Sequence, residues 1–550
     1  MSSPRIFLTL DPFYEGGGVM GRIAANAGFL RALLRAGVFD ACHFFLPNSA
    51  QVRTLEAALR QDGLFSDATR LFTRQELPQA LTRGDYYCAH LSDCLTSLPA
   101  LARLRRLHAP RAFPVTGPTH TLSYSRFAPL YLSHLWPGAS GREAIVATSR
   151  AALAMLEATF AWLREGYGLS EATHPGPGLA HIPLGVDPDL FPPPDPQAKA
   201  DARARLGLPQ DRWTLLCFGR LSPGHKFDLP PLLRALQRCL LPGGGMRAAE
   251  VTLLLAGWTD TTGPGPADTW AALARNLGLV VQLLKRPDAA QKRDCFLAAD
   301  CFVSPSDSIQ ETFGLTLLEA GLAGLPVVAS DFDGYRDLVV HEETGLLVPT
   351  VGFPETPSLD ALAPLLPDDT LHLLLGQQTA LDVPALARAL ARLYADRDPQ
   401  DGLGARWGRA GRERVLREFG WPAVVARHCE LWEAMWRTPE PVALAAHPLH
   451  FPYARLFAGH PSQTLDDAVP VRRTRLGEAI ARGQDHPQQY LGMEQLLQPD
   501  AVRRLLVLSR SAVAAGELVR RIMEDGGHDE AVARFCLHWA LKQDILELGE

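Results

Sequence analysis

Residues 301–349 read CFVSPSDSIQETFGLTLLEAGLAGLPVVASDFDGYRDLVVHEETGLLVP. The apolar run at the start ends at Ser304-Pro305-Ser306, a polar loop follows, and a helix is expected to begin near Phe313 or Gly314. Two further short runs, PVVAS and GLLVP, are bounded by turn residues. Brief apolar runs of this length alternating with helical stretches predict buried parallel strands. Glu311 falls in the loop just before the helix and Glu319 on the helix itself. At about 1.5 Å of rise per residue the two carboxylates are roughly 10 Å apart along the chain path. A sugar nucleotide spans a similar distance between its sugar and its ribose. The amides of Phe313, Gly314 and Leu315 at the helix start, with the helix dipole behind them, favour a diphosphate. With 60 acidic residues in 550, pairs eight apart arise by chance, so the weight lies in this context rather than in the spacing.

The same alternation extends upstream through WTLLCFG (213–219), VTLLLAG (251–257) and VVQLLK (280–285), giving a doubly wound domain over residues 201–436. A proline-rich stretch, DPDLFPPPDPQAKADAR (187–203), marks a boundary near residues 190–205. Before it, RIFLTL, HFFLP, YYCAHL, FPVT, AIVAT and AHIPLG repeat the pattern, so residues 1–200 form a first Rossmann-like domain. Two such domains in tandem leave a cleft between the carboxyl ends of their strands. Residues 351–382 interrupt the rhythm with Pro and Asp and are expected to be a surface insertion. Prolines 439, 441, 448, 452 and 461 mark another linker, and the remainder of 437–550 carries helical periods only. The fold class is therefore α/β, two doubly wound domains with a helical appendage.

Composition narrows the function. A net charge of −6 and 47% hydrophobic residues describe a globular protein with no electrostatic reason to bind nucleic acid. The basic run RLRRLHAPR (103–111) is either a solvated helix face or a peripheral contact for anionic lipid. The nine cysteines include no C-x-x-C pair and several lie in apolar runs, as buried reduced thiols do, which points to the cytoplasm. Neither a signal peptide nor a membrane span is expected.

Near the start, RIFLTLDPFYEGGGVMGRI (5–23) satisfies G-x-G-x-x-G at Gly16, Gly18 and Gly21 and raises a dinucleotide-binding oxidoreductase as an alternative. The context fails. Five residues separate the strand from Gly16, and Asp40 precedes the second strand instead of ending it. What remains is a glycine loop, with Gly17 and Gly18 at its centre, whose backbone can approach an anion closely, or whose glycines serve only a turn or helix packing.

A second cluster is LLCFGRLSPGHKFDLPPLLRAL (215–236). Arg220 ends a strand and Lys226 precedes the next helix, so two cations meet at the carboxyl end of the second domain's first strand. Arginine grips phosphate with a planar fork and lysine supplies a compact charge. Lysine occurs at only five positions (199, 226, 285, 292 and 542), which singles out Lys226.

Taken in order, Arg220 and Lys226, the pair Glu311 and Glu319 in ETFGLTLLEA, GLPVVAS followed by GLLVP, and IPLGVDPDLF at the boundary resemble the retaining family 4 glycosyltransferases of the GT-B fold, over residues 1 to about 436. The resemblance implies that Arg220 and Lys226 bind the donor diphosphate, Glu311 meets the donor sugar and Glu319 the ribose. It places Gly17 and Gly18 over the cleft, the helix start at Phe313, Gly314 and Leu315 under the phosphates, and the nucleobase near Arg286 in LLKRPD. His120 in TGPTHTLSY matches a first-domain histidine near the reacting centre, though a lone histidine after a strand also serves as a packed or capping residue. The implied donor is a UDP- or GDP-linked hexose, with no cofactor and no metal, and Asp331–Asp333 is read as a structural loop despite its D-x-D spelling. The last helix is expected to pack back on the first domain. LSPGH between Arg220 and Lys226, and FDLPPLL after it, depart from many relatives. The competing reading is a non-catalytic sugar-nucleotide or glycan-binding protein, with the tail as an interaction or homo-oligomerisation module. A phosphorylase is disfavoured because no lysine lies in the second domain beyond Lys292.

Overall fold

The computed structural model describes residues 4–14, 21–259, 263–439, 447 and 449–549. Gly17 and Gly18 lie outside the described residues.

Seven strands form the first sheet: β1 (Ile6–Thr9), β2 (Ala41–Leu46), β3 (Thr69–Thr73), β4 (Tyr86–His90), β5 (Val115–Pro118), β6 (Glu143–Ala147) and β7 (Gly178–His181), in the order β3-β2-β1-β4-β5-β6-β7. β1 pairs in parallel with both β2 and β4, so the winding reverses between β1 and β4. The second sheet holds β8 (Trp213–Arg220), β9 (Val251–Trp258), β10 (Val280–Lys285), β11 (Cys301–Ser304), β12 (Val327–Ser330) and β13 (Gly345–Val348), in the order β10-β9-β8-β11-β12-β13. All its pairs are parallel, with the reversal between β8 and β11. Open α/β sheets bind ligands outside the carboxyl ends of their strands at such reversals.

Burial explains why these strands read as unbroken apolar runs. Leu215 and Cys217 of β8 pack in one core with Leu253 and Leu255 of β9, whereas Leu216 and Phe218 pack in another with Leu254 and Ala256. Successive side chains point to opposite faces, and helices cover both, so no polar face remains to show alternation. β3 (TRLFT) is an edge strand whose residues are mostly half-buried, and it gives no such signal.

The helix Trp421–Trp436 returns to the first domain. The Trp432 indole N–H donates to Thr116 Oγ1 at 2.9 Å and that of Trp436 to the Tyr87 carbonyl at 2.9 Å. Residues 350–382 are not a plain surface excursion. They form a two-stranded ladder, β14 (Thr350–Val351) with β15 (Ala380–Leu381), and a helix, Asp368–Gly376, whose Leu371, His372 and Leu375 are buried.

A second compact unit comprises Pro448–Glu550 with the short segments Pro47–Val52 and Phe72–Pro78. Its helices Pro499–Leu508, Ala515–Gly526 and Glu530–Lys542 surround a core that includes Leu505, Leu518, Ile522 and Trp539. The expectation of helices alone is corrected here: β16 (Pro470–Arg473), β17 (Val513–Ala514) and β18 (Leu546–Leu548) form an antiparallel sheet in the order β17-β16-β18. Strands of two to four residues are too short for a period of two to register.

The basic run 103–111 is not one exposed face. Arg105 is fully buried and ion-paired with Glu143, Arg106 donates to the Gly138 carbonyl, and Arg111 pairs with Asp85. Among the described residues no helix is long and apolar enough to cross a membrane. All nine cysteines carry free thiols and all but Cys429 are buried.

Candidate functional site

A cleft of about 980 Å³ opens at the carboxyl ends of both sheets, lined by Arg220, Lys226, Glu311 and Glu319 of the second domain and by His120 and Tyr124 of the first. Lys226 follows β8 and Glu311 follows β11, the two strands that flank the reversal. Lys226 Nζ lies 2.9 Å from Glu311 Oε2, with side-chain exposures of only 11% and 16%. The Lys226 ammonium also donates to Thr316 Oγ1 at 3.4 Å. Burial alone would push the ammonium down, but the facing Glu311 carboxylate and the Tyr335 hydroxyl overcome it and hold the Lys226 pKa above its ordinary value. Burial likewise raises the Glu311 carboxyl, and the Lys226 charge more than reverses that, leaving it below its ordinary value. The pair is therefore ionised.

The helix Leu315–Leu322 begins beside this pair. Its cap, Gly314, has φ +109°, and a Cβ there would stand 2.5 Å from the Tyr335 ring. Only glycine combines that left-handed turn with so close an approach. Phe313 is buried, and its amide donates to Glu311 Oε1 at 3.4 Å, so of the three amides expected to face phosphate this one is shared with Glu311. Gly314 and Leu315 line the cleft, and a Cβ on Gly21, where the first domain's leading helix starts, would lie 3.8 Å from Leu315 Cδ1.

One turn into the helix, Glu319 Oε1 accepts from Lys292 Nζ at 2.6 Å, while Glu319 Oε2 is buried with no hydrogen-bond partner. An unpaired buried carboxylate oxygen costs free energy until a donor reaches it, and a ribose hydroxyl is such a donor. Lys292 was passed over in the sequence, although the scarcity of lysine that singled out Lys226 applies to it equally.

Tyr335 was also missed, and Asp333 was read only as part of a structural loop. The Tyr335 hydroxyl bonds Ser304 Oγ at 2.8 Å and donates to Glu311 Oε2 at 3.3 Å, the same oxygen that Lys226 meets. Asp333 adopts φ +47°. Burial, aided by the charge of Glu311, pushes its carboxyl up to about 8. The loop read as merely structural thus adjoins the site. A tyrosine two residues after a D-x-D loop carries no sequence signal, because the place of that loop is set by the packing of the strands around it.

His120 lines the cleft and its Nε2 lies 2.7 Å from the Ser92 carbonyl, which can only accept, so that nitrogen carries the proton. Ser92 is itself held, its amide donating to Asp11 Oδ2 at 2.7 Å. Arg220 lines the cleft at the end of β8. Arg286 is not among the cleft-lining residues. Its guanidinium stacks on Trp258, 4.7 Å from the ring centroid, and donates to the Thr259 carbonyl at 3.1 Å. Trp258 itself lines the cleft, and Arg286 stands behind its indole.

Residues 198–355 match the sequence profile of the family described as glycosyl transferases group 1. Among curated relatives, the chain is 30% identical over 266 residues to the D-inositol 3-phosphate glycosyltransferase of Thermobispora bispora, covering 48% of this chain and 52% of that protein. It is 38% identical over 168 residues to the protein of that name from Mycobacteroides abscessus, covering 30% and 34%. The chain spans about half the length of the first of these relatives and a third of the second. Among solved structures, Anabaena Alr3699/HepE in complex with UDP superimposes with a TM-score of 0.52 at 17% identity, covering 78% of this chain and all of that one. The sucrose-phosphate synthase of Thermosynechococcus elongatus gives 0.50 at 21% identity, covering 79% and 99%. The likeness to these structures is one of fold, the two-domain GT-B architecture.

Proposed function

We propose that this chain, which belongs to the glycosyl transferases group 1 through its second domain, transfers a glycosyl group from a nucleoside diphosphate sugar to a hydroxyl-bearing acceptor. The observation that carries the reading is the convergence of Lys226, Glu311 and the start of the Leu315–Leu322 helix where the β8-to-β11 winding reverses.

In this reading the diphosphate lies against Arg220, Lys226 and the amides of Gly314 and Leu315. As the bond from the anomeric carbon to the diphosphate oxygen breaks, negative charge grows on that oxygen, and two cations with a helix N-terminus stabilise it where water is largely excluded. These groups supply the charge that a metal provides in other transferases, so the reaction proceeds without one. Glu311 accepts hydrogen bonds from the sugar's hydroxyls, and Glu319 Oε2 accepts from the ribose. Retention of configuration follows the resemblance, and no side chain is assigned as a nucleophile. The Alr3699/HepE structure contains UDP, which makes UDP-sugars the first donors to try, with GDP-sugars next.

The test is a donor screen. Purified protein is incubated with UDP-, GDP-, ADP- and TDP-sugars, with and without EDTA, and nucleotide release and protection from thermal unfolding are recorded. One donor should stabilise the protein and be turned over in EDTA, and Arg220→Ala should abolish both effects. Binding without turnover in the presence of candidate acceptors would instead identify a sugar-nucleotide-binding protein, and the anomer of any product, read by NMR, decides retention.

A further inference from the structure

The insertion 350–382 reaches across the cleft. From the helix Asp368–Gly376, the fully buried His372 places Nε2 2.9 Å from Ser123 Oγ, and its ring stacks on Tyr124 at 5.5 Å between centroids. Asp368 Oδ1 accepts from the Ser125 amide at 3.3 Å and from its hydroxyl at 3.4 Å, and Asp368 Oδ2 lies 3.8 Å from Arg126. Ser123 to Arg126 belong to the loop that follows β5 of the first domain. Tyr124 and Arg126 line the cleft, and the Tyr124 hydroxyl accepts from Gln310, one residue before Glu311, at 3.0 Å. The same helix holds the loop between Arg220 and Lys226: Asp369 Oδ1 lies 2.9 Å from His225 Nε2, and a Cβ on Gly224 would stand 3.0 Å from the Asp369 carbonyl.

We propose that the helix Asp368–Gly376 is a clasp that joins the second domain's phosphate loop to the first domain's 119–127 loop, with His372 and Asp368 as positioning residues for the wall that selects the acceptor. Two features separate this from incidental packing. Among the described residues, the polar side-chain contacts from Asp368 and His372 to the first domain all go to consecutive residues of one loop, Ser123 to Arg126, and two of those residues face the cleft. The bonds to the two loops leave neighbouring positions of one short helix, so a shift of either loop is transmitted to the other through a rigid element. The clasp explains the LSPGH departure between Arg220 and Lys226, because Gly224 admits the helix and His225 binds it. It also accounts for the insertion, which the two-domain frame does not require. The naming of the 119–127 loop as acceptor-facing rests on the proposed transferase reading; the clasp itself does not.

Hydrogen exchange on the full chain tests it, with UDP as the probe ligand. In His372→Ala and in Ser123→Ala, amides of 119–127 should exchange about five- to tenfold faster, the expected loss for one or two hydrogen bonds, with the rest of the chain unchanged. His372→Gln, whose side-chain amide reaches the place of Nε2, should restore protection. UDP should slow exchange in 119–127 of the wild type and do so less in Asp369→Asn, while UDP affinity stays within about twofold. Unchanged exchange in both alanine variants overturns the clasp, as does exchange that rises over the whole chain in Ser123→Ala, or failure of His372→Gln to restore protection. If UDP does not bind the wild type, UDP is excluded as the donor nucleotide; if none of the screened nucleotides binds, the transferase reading fails, and the exchange of the alanine variants still decides the clasp.

Discussion

Lys226 Nζ and Glu311 Oε2 are 2.9 Å apart, so the cation expected to hold the leaving diphosphate is neutralised by the carboxylate expected to hold the sugar. A diphosphate entering the cleft competes with Glu311 for that ammonium. Glu311→Gln removes the competitor, and it should bind UDP at least as tightly as wild type while donor turnover falls about 10²-fold or more. Lys226→Met should lose both, with UDP affinity down by at least about tenfold. Titration calorimetry with UDP beside nucleotide-release kinetics separates the two. Equal loss of UDP binding in both variants would show that the pair acts only as a structural unit.

Glu319 presents the second test. Its Oε1 is occupied by Lys292 and its Oε2 is buried without a partner. If that oxygen awaits a ribose hydroxyl, Glu319→Gln should weaken UDP by about tenfold, the worth of one hydrogen bond to a charged group. The same substitution should leave 2′,3′-dideoxy-UDP unaffected, because no hydroxyl is left to lose. Equal weakening of both ligands would assign the effect to release of Lys292 instead.

Much of this arrangement was legible in the sequence because parallel strands covered on both faces read as uninterrupted apolar runs. Leu253 to Ala256 of β9 are completely buried, and no polar residue breaks the signal. That Arg220, Lys226, Glu311 and Glu319 would line one cleft was legible because each lies in or after a strand end that the apolar runs mark. What the sequence hid depends on contacts between distant segments. His372 reaches Ser123 across 249 residues, and Tyr335 reaches Ser304 across 31, and neither separation has a period or motif. The stacking of the Arg286 guanidinium on Trp258, which keeps it off the cleft lining, likewise has no sequence signal. The tail's sheet was invisible because its strands are shorter than the window in which alternation can be recognised.

Asp307 sets a pH dependence. It is buried, its Oδ1 has no partner and its Oδ2 accepts only a 3.3 Å bond from the Asp228 amide. Burial, with the neighbouring Asp228 charge adding to it, pushes its carboxyl from 3.8 up to about 8. Between those values the folded chain holds a proton that the unfolded chain has released, so stability falls as pH rises through roughly 4 to 8 and the contribution levels off above that. The total is on the order of a few kcal/mol. Urea midpoints at pH 5 and pH 8 should differ less in Asp307→Asn than in wild type. Parallel slopes for the two proteins would mean that water or a shift of the loop solvates the carboxylate.

The basic run at 103–111 supplies the last prediction, because its composition suggests a membrane-facing patch and its centre lies inside the protein. Arg105 is fully buried, ion-paired with Glu143 and bonded to the Phe113 carbonyl, and it sits 5.7 Å from the Phe113 ring centroid. Glu143 in turn accepts from the Ser140 hydroxyl at 2.9 Å, so the guanidinium ties the helix Leu98–His108 to the entry of β6. Two ions taken out of water together are tolerable, but one left alone is not. Arg105→Ala should therefore cost about 3–5 kcal/mol of unfolding free energy, most of it the exposed need of a buried Glu143, whereas Arg105→Met with Glu143→Leu should recover the greater part. The companion measurement is sedimentation with phosphatidylglycerol vesicles. A variant that lost vesicle binding at unchanged stability would return Arg105 to the surface role its sequence context suggests; loss of stability with no change in vesicle binding is the expected result, since a side chain with no exposed area has nothing to offer a headgroup.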